Sequence, residues 1–132
     1  MTRACGVALL LWAAALATVA ARQAEPTRMR STNDGIYTEA QAASGRVLFT
    51  DVCSVCHNDP LWRPNWEGKP LGEVYTKILK FMPDDNPGSL SGADVTAALA
   101  YILQSNGAAA GAEPLPDDVA VLDRIVVAEP PK

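Results

Sequence analysis

Histidine, cysteine and methionine, the nitrogen and sulfur ligands of transition metals, are scarce in this chain. Its 132 residues include one histidine, three cysteines and three methionines. Any such chemistry must therefore depend on very few side chains. Basic residues are also in deficit, since 11 Lys and Arg oppose 15 Asp and Glu. An acidic balance argues against nucleic acid and anionic membrane surfaces as partners, and it favours partners with a basic docking face.

A long hydrophobic run is missing as well. The apolar stretch from Gly6 to Ala17 is shorter than the about 20 residues that a membrane-spanning helix needs. Arg3 precedes this stretch and small residues follow it, which is the layout of a secretory signal. We expect residues 1–21 to be removed and the mature protein to have no stable membrane span. Removal leaves 10 basic against 15 acidic residues, a net charge of −5.

The most informative feature that is present is the run Cys53-Ser54-Val55-Cys56-His57. Two cysteines three apart with a histidine directly after the second form the covalent haem-attachment signature. The two thiols can add to the two vinyl groups along one porphyrin edge, and the adjacent histidine can bind the iron. Because His57 is the only histidine, no other residue competes for that role. The sequence predicts one covalently attached haem c.

Two alternatives explain a C-x-x-C pair without haem. A zinc site needs further ligands, and the remaining cysteine, Cys5, lies in the segment that we expect to be removed. A thioredoxin-like dithiol needs a strand before the pair and a β-α-β surround, whereas the flanks here predict helix and loop. The alternative function without haem is that of a thiol-disulfide oxidoreductase that uses Cys53 and Cys56.

Helical periodicity predicts an all-α chain. Thr38 and Gln41 form a T-x-x-Q capping box that begins a first helix. Gly45 and Phe49, four residues apart, share one face of that helix, where the glycine permits another helix to approach closely.

Two more helices follow the haem motif. Apolar residues from Leu71 to Phe81 recur at three- and four-residue spacing and predict a helix that Pro83 ends. Ser91 caps a last firm helix, which Asn106-Gly107 closes.

The remaining segments predict less regular structure. We expect a flexible polar arm over residues 22–33, a single domain over residues 34–107, and a linker with a C-terminal extension over residues 108–132. Within this extension, Pro116-Asp117-Asp118 can begin a short helix that has Val119, Leu122 and Ile125 on one face.

A second iron ligand is expected from methionine. The mature chain would hold Met29 in the polar arm and Met82, which follows His57 by 25 residues and directly precedes Pro83. Met82 is the predicted ligand, and filling a gap in the core, the ordinary use of methionine, is the alternative. A thioether ligand stabilises ferrous iron and raises the reduction potential relative to two histidines.

The order of these features resembles a known family. The chain resembles class I cytochromes c in the order of four features. These are Gly45-Arg46-Val47-Leu48-Phe49, then Cys53-x-x-Cys56-His57, then Met82-Pro83, and a final helix that carries Tyr101. The resemblance spans Asp34 to about Gly107. It implies an all-α fold of three to five helices around one covalently bound haem, in which the glycine and the aromatic of the first helix cross the last helix near Ala98 and Tyr101.

Shorter segments narrow the resemblance. Four segments are similar to cytochrome c domains associated with quinone (PQQ)-dependent alcohol dehydrogenases. They are Tyr37-Thr38-Glu39-Ala40-Gln41-Ala42, Asn65-Trp66-Glu67-Gly68, Pro70-Leu71 and the run from Met82 to Ser91. The loop between His57 and Trp66 is shorter than this resemblance implies. This difference leaves three candidates for the carbonyl that orients the His57 ring, Pro60, Pro64 and Pro70, of which we favour Pro60.

Polar-tipped aromatic residues are candidates for the rim of the haem site. Trp62, Trp66 and Tyr75 could meet the haem propionates, because buried Trp N–H and Tyr O–H groups usually need a partner, and ordinary packing is the alternative for each. Asp84 and Asp85 border the methionine loop and are candidates for a docking rim.

The sequence therefore predicts a periplasmic, monohaem, one-electron carrier and not an enzyme. Its expected partners are an exported dehydrogenase as donor and an oxidase or another cytochrome as acceptor. A ligand-binding or peroxidase-like haem protein is the alternative, and it would need an open iron position in place of Met82.

Overall fold

The computed structural model describes residues 29–59 and 64–131, and the expected signal segment lies outside them. Within this part of the chain the fold is mostly helical. Four α-helices occur: α1 (Glu39–Leu48), α2 (Leu71–Phe81), α3 (Gly92–Ser105) and α4 (Val119–Leu122). A π-helical turn (Phe49–Cys53), a 3-10 turn (Pro64–Trp66) and two short strands, β1 (Arg30–Ser31) and β2 (Ile125–Val126), complete the regular structure. The prediction of an all-α fold of three to five helices is confirmed.

Helix α1 begins where its capping residue predicts. The Thr38 hydroxyl accepts a hydrogen bond from the Gln41 backbone N–H at 3.2 Å. The second half of the predicted capping box is wrong, because the Gln41 side chain turns to the C-terminal extension. Its amide donates to the Leu115 carbonyl at 2.9 Å and accepts from the Leu115 N–H at 2.8 Å. Gln41 therefore joins α1 to the extension.

The contact between α1 and α3 sets the position of both helices. A Cβ atom built on Gly45 would lie only 1.8 Å from the Ala97 carbonyl oxygen of α3. One turn further along α1, the Phe49 and Tyr101 rings pack with centroids 5.5 Å apart and a tilt of 59°, an arrangement that aromatic pairs favour. The predicted crossing of the first and last long helices is confirmed.

The ends of α2 and α3 follow local sequence signals. Helix α2 ends as the Met82 N–H donates to the Ile78 carbonyl at 2.9 Å, directly before Pro83. Ser91 and Asp94 form a reciprocal capping box at the start of α3. Gly107 takes a φ of 87° just past the end of α3, a left-handed conformation that glycine adopts without strain.

The C-terminal extension differs from the linker and tail that the sequence predicted. Its apolar side chains are buried in the same core cluster as those of α2 and α3: Leu115, Leu122, Ile125 and Val127. Leu122 has no exposed surface, whereas Val119, which was expected on the same face, is 42% exposed. Burial of these apolar groups adds to the core of a domain that would otherwise be small.

The described end of the N-terminal arm is also ordered against this extension. Strands β1 and β2 pair in parallel, with Arg30 opposite Ile125 and Ser31 opposite Val126. The Thr32 side chain is fully buried, and its hydroxyl accepts from the Ala128 N–H at 3.0 Å. The expectation of a flexible arm is therefore wrong for residues 29–33, because these residues pair with a segment about 95 positions later.

In the described ranges, no helix has the length and apolar character required to cross a membrane.

We expect Gly45→Val to destabilise the protein by about 1 to 3 kcal/mol, because its side chain would overlap the Ala97 carbonyl and force α1 from α3. The measurement is the free energy of unfolding in urea. Ala43→Val, at an exposed position of the same helix, is the matched control and should cost no more than about 0.7 kcal/mol through helix propensity. Equal losses in the two variants would show that Gly45 is not at a tight contact.

We expect Leu122→Ala to cost about 2 to 5 kcal/mol, the range for truncation of a buried leucine. Its neighbour Val121 is 43% exposed, and Val121→Ala should change the free energy of unfolding by less than about 0.5 kcal/mol. Thermal or urea unfolding of both variants tests whether the extension belongs to the cooperative core. A Leu122→Ala protein as stable as the wild type would make the extension a dispensable tail.

Candidate functional site

The cysteine and histidine residues of the haem-attachment run lie just beyond the end of α1. The helix widens into a π turn, in which the Ser54 N–H donates to the Phe49 carbonyl at 2.8 Å. Cys53 ends this turn, and its carbonyl accepts from the N–H groups of Cys56 at 3.2 Å and His57 at 2.8 Å. The Cys53 carbonyl thus holds both cysteines and His57 in a single tight turn.

Exposure within this turn suits covalent attachment. Cys53 and His57 are partly buried, Cys56 is exposed, and both thiols are free. Partial burial raises the pKa of the Cys53 thiol. The reactive thiol of a disulfide-exchange enzyme has the opposite shift, a lowered pKa that favours the thiolate.

The zinc alternative would need further ligands close to the two cysteines. Across residues 29–59 and 64–131, no group of three or more His, Cys, Asp and Glu side chains is arranged to hold a metal ion.

Met82 lies at the C-cap of α2, where the backbone leaves the helix in an extended conformation (φ −117°, ψ 151°). Its side chain is partly buried. The loop that follows, residues 82–91, contains two turns: the Asn86 N–H donates to the Pro83 carbonyl at 3.1 Å, and the Ser89 N–H donates to the Asn86 carbonyl at 3.3 Å. A capped helix therefore precedes the loop and another follows it, which gives Met82 a defined place in the fold.

The donor set and its surroundings fit a haem. Imidazole and thioether ligands suit haem iron, and two free thiols suit covalent attachment. Each of the two segments also exposes a large apolar side chain beside its donor: Val55, between the cysteines, is 81% exposed, and Phe81, directly before Met82, is 59% exposed. Both side chains could pack against an apolar porphyrin held by these donors.

The predicted rim residues have different surroundings. Trp66 lies in the 3-10 turn, partly buried against the core cluster, while Trp62 and Pro60 lie outside the described residues. Tyr75 is buried, and its hydroxyl donates to the Asp117 carboxylate of the extension. The structure thus gives Tyr75 a partner within the protein, and contact of these aromatics with haem propionates stays a prediction.

Asp117 is the residue of this region that sequence reasoning missed. Burial, together with the hydrogen bond to Asp117, raises the pKa of Tyr75 to about 12, so the hydroxyl remains a proton donor across the physiological range. The two residues are separated by 42 positions. No local motif signals a pair so far apart in the sequence.

Charged side chains near the Met82 loop are at the surface. Asp84 and Asp85 are exposed, as a docking rim requires. Lys77 and Lys80 are exposed on α2, where they line an open groove with Phe81 and Val119. The two lysines have the solvent exposure of an ordinary helix surface.

Comparison with known proteins gives one family match. The sequence family described as cytochrome C oxidase, cbb3-type, subunit III, matches residues 40–102. Searches of curated proteins and of solved structures gave no significant match. The matched segment covers slightly less than half of the chain. It contains α1 apart from its first residue, the haem-attachment run, α2, the Met82 loop and most of α3. Together with the helical fold, the match supports a class I c-type cytochrome domain, which implies a covalently bound haem c.

Proposed function

We propose that this protein is an exported one-electron carrier in which His57 and Met82 are the two iron ligands. The observation that carries the proposal is the placement of the only histidine and of Met82. His57 lies in the turn closed by the Cys53 carbonyl, and Met82 lies at a helix end that opens a turn-rich loop. A cytochrome c domain fits an electron carrier better than an enzyme.

Each residue of the site has a separate task in this proposal. Cys53 and Cys56 would form thioether bonds that keep the cofactor attached, and His57 would bind the iron next to them. Met82 would bind the iron through its thioether and leave no position open to exogenous ligands. The haem supplies the one-electron ferric/ferrous couple, which a thioether ligand shifts to higher potential. The rest of the chain holds the ligands in place.

The choice of partner is drawn from resemblance and charge. The similarity to cytochrome c domains associated with quinone-dependent alcohol dehydrogenases supports an exported dehydrogenase as donor, and an oxidase or another cytochrome would accept the electron. The expected signal segment supports a periplasmic location, where such attachment of haem takes place. A mature net charge of −5, with Asp84 and Asp85 exposed beside Met82, supports docking to a basic surface.

Met82→Ala should open the second axial position, so the reduced protein should bind carbon monoxide rapidly and its reduction potential should fall. Met29 is 59% exposed and far from the loop in sequence, and Met29→Ala is the matched control, with no change expected in either quantity. The measurements are carbon monoxide association by stopped flow and potentiometric titration. Rapid binding to the wild type at the mutant's rate would favour the alternative of an open iron position.

Asp84→Asn/Asp85→Asn should weaken the salt dependence of electron transfer with the donor dehydrogenase, with little change in potential. Steering between exposed charges is screened over roughly 8 Å at physiological salt and acts mainly on the association rate. The wild-type rate should therefore fall as salt rises, with a shallower slope in the double variant.

Glu113→Gln/Glu129→Gln supplies the matched control, because it makes the same change in net charge at exposed positions outside the Met82 loop. A stopped-flow salt series compares the three proteins. Equal slopes for the two double variants would place docking away from the loop, and a wild-type rate that is independent of salt would indicate an apolar encounter.

A further inference from the structure

The loop that carries Met82 connects two helices that share a contact outside the loop. It leaves α2 at Met82 and enters α3 at Ser91. The Asp117 carboxylate of the extension accepts the hydrogen bond from Tyr75 on α2. The same carboxylate lies against the first residue of α3, since a Cβ atom built on Gly92 would be 2.0 and 2.1 Å from its two oxygens. One side chain thus contacts the helix on each side of the loop.

The residues on both sides of this contact are held in place. Tyr75 is 3% exposed and packs within the core cluster. The capping box between Ser91 and Asp94 fixes the start of α3, with the Ser91 N–H donating to the Asp94 carboxylate at 3.0 Å. Asp118, next to Asp117, caps α4 by accepting from the Ala120 N–H at 2.9 Å. The Asp117 carboxylate therefore contacts α2 and the start of α3, and Asp117 itself directly precedes the cap of α4.

The Asp117 carboxylate occupies the space that a side chain at Gly92 would take, and the backbone conformation of Gly92 does not call for glycine. Its φ is not positive, unlike those of Gly35, Gly68, Gly88 and Gly107. A glycine at the start of a helix without such a conformation is explained by another group that takes the place of its side chain. Here that group is the carboxylate of Asp117.

A second acid of the extension makes a different contact. A Cβ atom built on Gly72 of α2 would lie 2.1 Å from the Asp123 carboxylate. Asp123 thus packs against α2 as closely as Asp117 packs against α3, but it has no contact of this kind with α3. Asp117 therefore contacts both helices that flank the loop, whereas the close contact of Asp123 is with α2.

We infer that Asp117 is a positioning residue for Met82: by contacting Tyr75, seven residues before Met82 on α2, and Gly92 at the start of α3, it holds the two helices that flank the Met82 loop at a fixed spacing. The inference rests on the proposed function, in which Met82 is an iron ligand. Without this link, the loop would open locally more often and Met82 would leave the iron more often, although the rest of the fold stays intact.

The test uses the full-length protein with haem attached and compares Asp117→Ala, Tyr75→Phe and Gly92→Ala with the wild type. Gly92→Ala displaces the carboxylate without removing it, and Tyr75→Phe keeps the buried ring. Asp123→Ala is the matched control from the same extension. Two quantities are measured: carbon monoxide association with the reduced protein, which needs Met82 to leave, and hydrogen exchange at the Asn86 and Ser89 amides, which reports the loop itself.

We expect both rates to rise roughly tenfold in each of the three variants, the effect of losing a hydrogen bond to a charged group on a local opening equilibrium. Asp123→Ala, at an exposed position, should leave both rates within roughly twofold of the wild type. The Tyr75→Phe variant keeps the test decisive if Asp117→Ala does not fold.

Three results would overturn the inference. Unchanged rates in the three variants would show that the loop does not depend on the link. Equal increases in Asp117→Ala and Asp123→Ala would show a general loss of stability. An increase in Tyr75→Phe alone would show that the hydroxyl acts on another group. A separate result would overturn the proposed function: if the wild-type protein binds carbon monoxide as fast as Met82→Ala, Met82 is not an iron ligand and the inference fails as well. The three results above leave the ligation by Met82 intact, so the two failures are distinguishable.

Discussion

The close approach of α1 to α3 at Gly45 is the constraint on which the rest of the structure depends. Because the Ala97 carbonyl occupies the space of a side chain at Gly45, the two helices meet backbone to backbone, and Phe49 and Tyr101 then pack one turn away. This contact fixes the end of α1, and the π turn continues directly from that end to Cys53. The position of the attachment cysteines is thus set by helix packing, although the cysteines themselves are near the surface.

The extension completes the core that the helices begin. It supplies buried apolar side chains, pairs β2 with β1, and bonds to the Gln41 side chain of α1. Its two acids, Asp117 and Asp123, fill the space beside glycines of α3 and α2. Every long helix is therefore joined to this segment. A small domain thus completes its core by packing its C-terminal segment against the helices.

The ends of the helices could be predicted from residues a few positions apart. Contacts between residues far apart in the sequence could not. The caps at Thr38 and Ser91 and the end of α2 before Pro83 depend on residues within a few positions, and the structure has each of them. The Gly45 contact was found through resemblance as well as spacing. The bonds from Gln41 to Leu115 and from Tyr75 to Asp117 join residues 74 and 42 positions apart. No periodicity marks such pairs, and the π turn likewise has no distinct pattern.

The parallel pairing of β1 with β2 has a consequence for the order in which the chain folds. Strand β2 lies about 95 residues after its partner, so this pair closes a loop that contains all three long helices. Because the entropy of closing so large a loop is lost before the contact can stabilise the chain, contacts of this kind form late. A nascent chain that has emerged only as far as Gly107 holds its haem-attachment motif on an unfinished core. Completion of that core waits for Val127, one of the last described residues to be synthesised.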